Sequence, residues 1–393
     1  MPLFLHTADW QIGRQFASFD ADNAPILADA RISVVERLAA MATQHQVAAV
    51  LVAGDVFDAQ TVSPRTIRRL FNAMAAYAGP WLLIPGNHDA ALAESVWTQA
   101  QRLGAVPPNV HLLLTPQAKV FAELGFVVLP APLTQRHTHG DLTQWFDSDN
   151  SADGLLRIGL AHGSVQGLLA DEIDATNPIA PDRAERARLD YLALGDWHGC
   201  KRIDERTWYA GTPEPDRFKS NQPGFALLVD LPAPGVPPQV TPLPTAQFRW
   251  LALAAELQVA SDVDAVINSL LSLGGTDVVE LRLSGQINLA DQQRLQAAIQ
   301  RAEAQTRHLQ TEQQALRLAP TDDDIASLQA DGYLGELIAE LREGSSAAQS
   351  AANPEQARSA QDALALLAQA LQSLQPAPAA PPAPLAGSTG SQA

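Results

Sequence analysis

From the start of the chain to about residue 231, short apolar runs alternate with polar loops, and several loops lead into stretches with helical spacing. The runs cover residues 3–6, 48–53, 81–85, 126–129, 156–161, 191–194, 208–210 and 225–230. Their shortness predicts buried strands rather than helices. Helical periodicity is clear over 26–41 and 64–77, the second with Ser63 as N-cap and Pro64 as first helical residue. Strands alternating with amphipathic helices predict a layered α/β domain whose helices cover the sheet.

A proline-rich passage at 231–245 reads as a junction, because proline has no N–H to offer a central strand. Beyond it the pattern predicts a strand at 250–254, a helix capped by Ser261 and ending near Gly274, a strand at 278–283 and a helix at 289–304, a compact β-α-β-α unit with further helix at 322–342. The expected division is a main domain at 1–231, a small α/β domain at 246–344, and a tail at 345–393. The tail is rich in Ala, Gln, Ser and Pro, buries too little apolar area to offset its ordering entropy, and reads as disordered. Within it Leu364, Leu367, Leu371 and Leu374 fall at helical spacing, which suits either a short helix docking on a partner or a marginal helix with no specific role.

Composition narrows the classes. No apolar stretch approaches the roughly 20 residues needed to span a bilayer. The opening Met-Pro-Leu-Phe-Leu-His has no basic region or long apolar core, so a cytoplasmic protein is expected. A single cysteine, Cys200, excludes an intramolecular disulfide and a Cys-rich zinc site, and reads as a small buried hydrophobe. The formal charge of −17 opposes binding to a phosphate backbone through counterion release. DNA contact would then require metals, a partner, or a local patch such as Arg65, Arg68 and Arg69, or Lys201, Arg202, Arg206, Arg217 and Lys219.

The candidate chemistry sits just after apolar runs: Asp9-Trp-Gln11, Gly54-Asp55 with Asp58, Gly86-Asn87-His88-Asp89, His162-Gly163 and Gly195-Asp196-Trp-His198. Carboxyl ends of strands in an open α/β sheet converge on one crevice, so these loops are expected to meet there. Phosphodiester hydrolysis needs a nucleophile at neutral pH and neutralisation of phosphoryl charge, and two divalent ions about 3.5–4 Å apart supply both. Each motif alone is weak, but their order after successive strands is a strong signal. Arg14 is a candidate phosphate contact or a surface arginine. Trp10 and Trp197 are expected to pack rather than to stack on bases.

These motifs, in this order, resemble the calcineurin-like metallophosphoesterase superfamily. The opening His6-Thr-Ala-Asp9-Trp10, the Gly54-Asp55-Val-Phe-Asp58 loop, and Tyr209-Ala-Gly-Thr212 with Phe218 are similar to its SbcD-like DNA-repair exonuclease branch. The resemblance covers about residues 1–231 and implies a layered sandwich of sheets flanked by helices, with 246–344 as a small capping domain. It implies that Asp9, Gln11 and His198 serve one ion, that Asp55 bridges, and that Asn87, His162 and Asp196 serve the other. His88 matches the family's catalytic histidine, while Asp58 and Asp89 are supporting residues. An SMC-like ATPase partner, DNA as substrate and a homodimer are implied in the same way.

Gln11 and Asp196 depart from the family, which has histidine at both positions. Two imidazoles are exchanged for a neutral amide and a carboxylate, and such harder, oxygen-rich sites suit manganese or magnesium better than zinc. The expectation is a two-metal, manganese-preferring phosphodiesterase acting on DNA. The alternatives are a phosphodiesterase of nucleotides or other small phosphoesters, and a regulatory subunit with a weakened metal site.

Overall fold

A computed structural model describes residues 2–151, 154–167, 176–219, 221–321, 323–324 and 333–350, together with 355, 359–360, 362–367 and 370. In chain order the elements are β1 (Leu3–Thr7), α1 (Asn23–Gln44), β2 (Ala49–Ala53), α2 (Pro64–Ala73), β3 (Trp81–Ile84), α3 (Val96–Arg102), β4 (Val110–Leu112), β5 (Lys119–Phe121), β6 (Phe126–Ala131), β7 (Leu156–His162), β8 (Ser164–Val165), β9 (Pro178–Ile179), α4 (Arg183–Arg186), β10 (Tyr191–Gly195), β11 (Lys201–Arg202), β12 (Thr207–Tyr209), β13 (Phe225–Asp230) and β14 (Gln239–Pro244). They continue with β15 (Arg249–Leu257), α5 (Ala260–Leu271), β16 (Asp277–Ile287), α6 (Leu289–Gln305), β17 (His308–Leu318) and α7 (Tyr333–Ser350).

Two six-stranded sheets, ordered β14-β13-β1-β2-β3-β4 and β11-β12-β10-β7-β6-β5, form the main unit. The period-two alternation of each strand explains why they stack. Phe4, Ala49, Leu51, Leu82 and Ile84 of the first sheet share one buried cluster with Phe126, Ile158, Leu160, Tyr191 and Ala193 of the second. Phe4 meets Phe126 edge-to-face at 5.0 Å. The alternate residues Leu5, Val50, Val52, Trp81 and Leu83 instead face Val34, Val35 and Leu38 of α1, Ile67 and Leu70 of α2, and Trp97 of α3. On the far side, Val127, Leu129, Leu192 and Leu194 pack with Phe146 and Ala184. The result is the expected sandwich, in which two sheets bury one another and helical segments cover their outer faces.

Ser63 caps α2 as expected, its hydroxyl accepting from Thr66 N at 3.1 Å. Helix α5, in contrast, begins at Ala260 rather than after Ser261, because the Asp262 carboxylate turns back to accept from the amides of Gln258 and Val259 at 2.9 and 3.0 Å. The proline-rich passage contains strand β14, which pairs antiparallel with β13 at the sheet edge, with Pro242 and Pro244 opposite Leu227 and Phe225. An edge position tolerates prolines that a central strand would not.

The chain divides into two compact units, one of residues up to Ala252 with Thr276–Val278, the other of Leu253–Gly275 with the described residues from Val279 onward. The second carries α5 and α6 packed together, and β17 completes a sheet ordered β15-β16-β17 where the spacing predicts only two strands. Helix α7 continues to Ser350, past the expected start of the tail. Residues 362–367 are also helical, and Leu364 is buried against Ile338. Apart from residues 355, 359–360 and 370, the rest of the expected tail, Leu371 and Leu374 included, lies outside the described residues. No helix among the described residues is long and apolar enough to cross a membrane.

His6 ties the two sheets together. Its Nδ1 is 2.9 Å from the Tyr191 hydroxyl and its Nε2 3.2 Å from the Leu194 carbonyl. Burial pushes its pKa down to about 3. An unfolded chain takes up this proton near 6.5, so between about 6.5 and 3 the unfolded state binds more protons. His6 therefore contributes full stability above that window, and stability falls by up to about 1.4 kcal/mol per unit as pH drops through it. Denaturant midpoints at about pH 7 and about pH 5 are expected to diverge more for the wild type than for His6→Gln. Equal slopes would refute the assignment.

Candidate metal centre

Strands β1, β2 and β3 run parallel, as do β6, β7, β10 and β12. The loops or end residues that follow β1, β2, β3, β7 and β10 carry Asp9 and Gln11, Asp55, Asn87 and His88, His162, and Asp196 and His198 respectively. The loops after β1 and β2 are zipped together: Asp9 N donates to Gly54 O at 3.1 Å, Gln11 N to Asp55 O at 2.9 Å, and Ile12 bridges to Phe57. Within these loops Asp9, Gln11, Asp55 and Asp196 all adopt positive φ, at 54°, 50°, 51° and 102°. Each such residue costs on the order of 1–3 kcal/mol, and the surrounding hydrogen bonds hold them there, turning their side chains towards one another.

Asp9, Asp55 and His162 present ligand atoms within 4.8 Å of one another, and all three are buried. His162 Nδ1 lies 2.8 Å from the Ala53 carbonyl, to which a ring N–H donates, so in the neutral ring Nε2 carries the lone pair. That Nε2 is 3.6 Å from Asp55 Oδ1 and 3.7 Å from Asp196 Oδ1. Asp55 also accepts from Gln11 Nε2 at 2.8 Å and from His88 N at 2.9 Å, while both oxygens of Asp9 accept from Asp196 N at 3.1 and 3.3 Å. Among the described residues, Gln11 Oε1, Asn87 Oδ1 and His162 Nε2 are buried without a hydrogen-bond partner. Unpartnered buried acceptors beside buried carboxylates are a donor set that a divalent cation fits.

The electrostatics favour a positive charge at this point, either a proton on His162 Nε2 or a cation in its place. Burial raises Asp9 to about 6, against the pull of His198 and His162, and it also raises Asp196. Burial alone would lower His162, but Asp55, Asp196 and Asp9 outweigh it and push it up to about 9. The pocket concentrates negative charge and stabilises any positive charge placed in it.

His88 is held differently. Its Nδ1 is 2.8 Å from the Asp58 carbonyl, and its half-exposed ring leaves Nε2 4.0 Å from Asp55 Oδ2. Asp89 holds the loop: its carboxylate accepts from Gly86 N at 2.6 Å and Phe57 N at 3.1 Å, and burial followed by the charge of Asp55 pushes it up to about 7. His198 lies near enough for its charge to act on Asp9 and Asp196, but its Nδ1 is 3.2 Å from Asp216 and 3.0 Å from Arg217.

Gly86 is required by contact. A Cβ there would collide with the backbone nitrogen and Oδ1 of Asp55. Gly86→Ala is therefore expected to displace Asp55, to lower stability by about 1–3 kcal/mol and to reduce bound metal. Thermal denaturation and metal analysis check this, and an unchanged melting temperature with full metal content would contradict it.

Several residues that matter here carry little signal in the sequence. Arg31, on the buried face of α1, donates to the carbonyls of Trp10 (2.6 Å), Asp9 (3.0 Å) and Glu214 (2.9 Å) and to Thr212 Oγ1 (2.9 Å). It pins the Asp9 loop to the loop after β12. Its one trace is an arginine on the stripe of Leu27, Val34 and Leu38. Asp216 is also buried, and Trp10 is a core residue, edge-on to Trp81 at 5.9 Å, with Nε1 bonded to Thr7. Trp197 likewise packs against a core cluster. His137 and His139 are exposed in their loop.

The model of the family described as calcineurin-like phosphoesterase matches residues 2–200. The chain is 42% identical over 292 residues to the SbcD subunit of the nuclease SbcCD of Rhodobacter capsulatus, an alignment covering 61% of this chain and 69% of that protein. It is 39% identical over 257 residues to the SbcD subunit of the nuclease SbcCD of Escherichia coli, covering 54% of this chain and 61% of that protein. With its ordered strand-end motifs converging on one acceptor-rich pocket, the chain belongs to the calcineurin-like phosphoesterase family, in its SbcD-like branch, and is a metal-dependent phosphoesterase.

Proposed function

We propose that this chain hydrolyses phosphodiester bonds of DNA as part of a nuclease, with two divalent ions held by Asp9, Gln11, Asp55, Asn87, His162, Asp196 and His198. The observation that carries the reading is the convergence of the orphaned Gln11, Asn87 and His162 acceptors with the carboxylates of Asp9, Asp55 and Asp196. Divalent ions at such a site lower the pKa of bound water and neutralise phosphoryl oxygens. The protein's own part is to hold the ligands. The Ala53 carbonyl sets the His162 tautomer, Arg31 fixes the carbonyls around Asp9, and the Asp58 carbonyl orients His88. With Nδ1–H so held, the ring in its imidazolium form presents Nε2–H to a phosphoryl or leaving oxygen. The predominance of oxygen donors favours manganese or magnesium over zinc. An SMC-like ATPase as partner, cytoplasmic action on DNA and a homodimer belong to the same proposal, as the resemblance to the SbcD-like branch implies, and the similarity to subunits of a nuclease supports its nuclease part.

The charge of −17 favours a second reading, in which the substrate is a nucleotide or another small phosphodiester. Metal content, together with turnover of labelled linear DNA and of a chromogenic small diester in manganese, separates the two. DNA cleavage by the metal-loaded chain supports the first reading, and rapid diester turnover without DNA cleavage supports the second. A chain that binds no metal and turns over neither substrate overturns both.

A further inference from the structure

We propose that Arg217, together with Arg14, is a substrate-binding clamp that takes a phosphoryl oxygen at the rim of the metal centre. Arg217 lies directly after the buried Asp216, and its Nε and Nη2 donate to the two oxygens of that carboxylate at 3.0 and 3.0 Å. Its Nη2 also lies 3.0 and 3.4 Å from the two ring nitrogens of His198. Arg14, three residues after Gln11, reaches the same carboxylate from the other loop, with Nη1 3.2 Å from Asp216 Oδ2 and 3.4 Å from Asp58 Oδ1. A carboxylate whose side chain is only 1% exposed thus anchors two guanidiniums that are themselves 29% and 39% exposed.

Arg14, Arg31, Arg37 and Arg217 lie around Asp58, Glu214 and Asp216, and Asp9 also acts on Arg217. Arg31 is fully buried and committed to carbonyls, and Arg37 is paired with Glu214 at 2.9 Å. Arg14 and Arg217, both partly exposed, are the two that share Asp216 beside the metal loops. Planar guanidiniums already fixed by a buried carboxylate lose little freedom when a phosphate oxygen arrives, and they match its geometry. In a chain of net charge −17 they also place the attraction for an anion beside the metal loops.

The inference rests on the phosphodiester reading for its substrate, but its test does not depend on that reading alone. In the metal-loaded full chain, Arg217→Ala and Arg14→Ala are each expected to weaken binding of inorganic phosphate, followed calorimetrically, about tenfold, with metal content retained. Where the small diester is hydrolysed, KM rises by a similar factor, kcat changes much less, and Arg217→Lys is intermediate. Unchanged phosphate affinity in both variants overturns the clamp, and so does loss of metal in Arg217→Ala, which would make Arg217 a support for His198. A wild type that binds phosphate through these arginines yet hydrolyses no diester overturns the enzymatic reading and leaves the clamp standing.

Discussion

Asp55→Asn is expected to reduce phosphodiester hydrolysis about a thousandfold or more, equivalent to about 4 kcal/mol of transition-state stabilisation, and to strip the chain of metal during dialysis. Both oxygens of Asp55 are engaged: Oδ1 accepts from His88 N and faces His162 Nε2 at 3.6 Å, and Oδ2 accepts from Gln11 Nε2. In asparagine one oxygen becomes an NH₂ group. It must then point its hydrogens either at Gln11 Nε2, a donor unless that amide flips, or at the His88 N–H. The negative charge that offsets a cation is lost at the same time. Metal analysis and turnover in manganese decide the matter, and a variant that keeps its metal and its rate would remove Asp55 from the centre.

His88→Ala separates chemistry from metal binding. Its imidazole hangs from the Asp58 carbonyl at 2.8 Å, and its nearest approach to the acidic cluster is 4.0 Å, to Asp55. Truncation removes a proton donor while the orphaned acceptors of Gln11, Asn87 and His162 remain in place. A fall in kcat of about 10²–10⁴ is expected, with metal content at the wild-type level. Equal loss of metal in His88→Ala and Asp55→Asn would contradict this division of labour.

Much of this architecture is legible in the chain itself. Short apolar runs locate β1, β2, β3, β6, β7, β10 and β13, since a strand buried on both faces needs no partner information to look apolar. The elements that escape such a reading are those whose composition is not apolar. Strand β17, His308–Leu318, is polar along most of its length, and β14 contains two prolines. Such strands are specified by the neighbour that pairs with them, as β13 specifies β14.

Residue order alone assigns which residue types stand at the ends of which strands, and with them the family, the candidate metal loops and the departures at Gln11 and Asp196. Which buried groups compensate one another is set by three-dimensional packing. Arg31 finds its acceptors at Thr212 and Glu214, and His6 finds its partners on β10, across more than half the length of the main unit. The same packing turns His162 Nε2 towards Asp55 and Asp196, and sets Arg217 against His198. Periodicity records whether a residue is inside, because water rejects apolar surface at every position alike. A buried charge is stable only with a particular partner at hydrogen-bond distance, and that partner is supplied by the packing of sheets whose strands lie far apart in the chain.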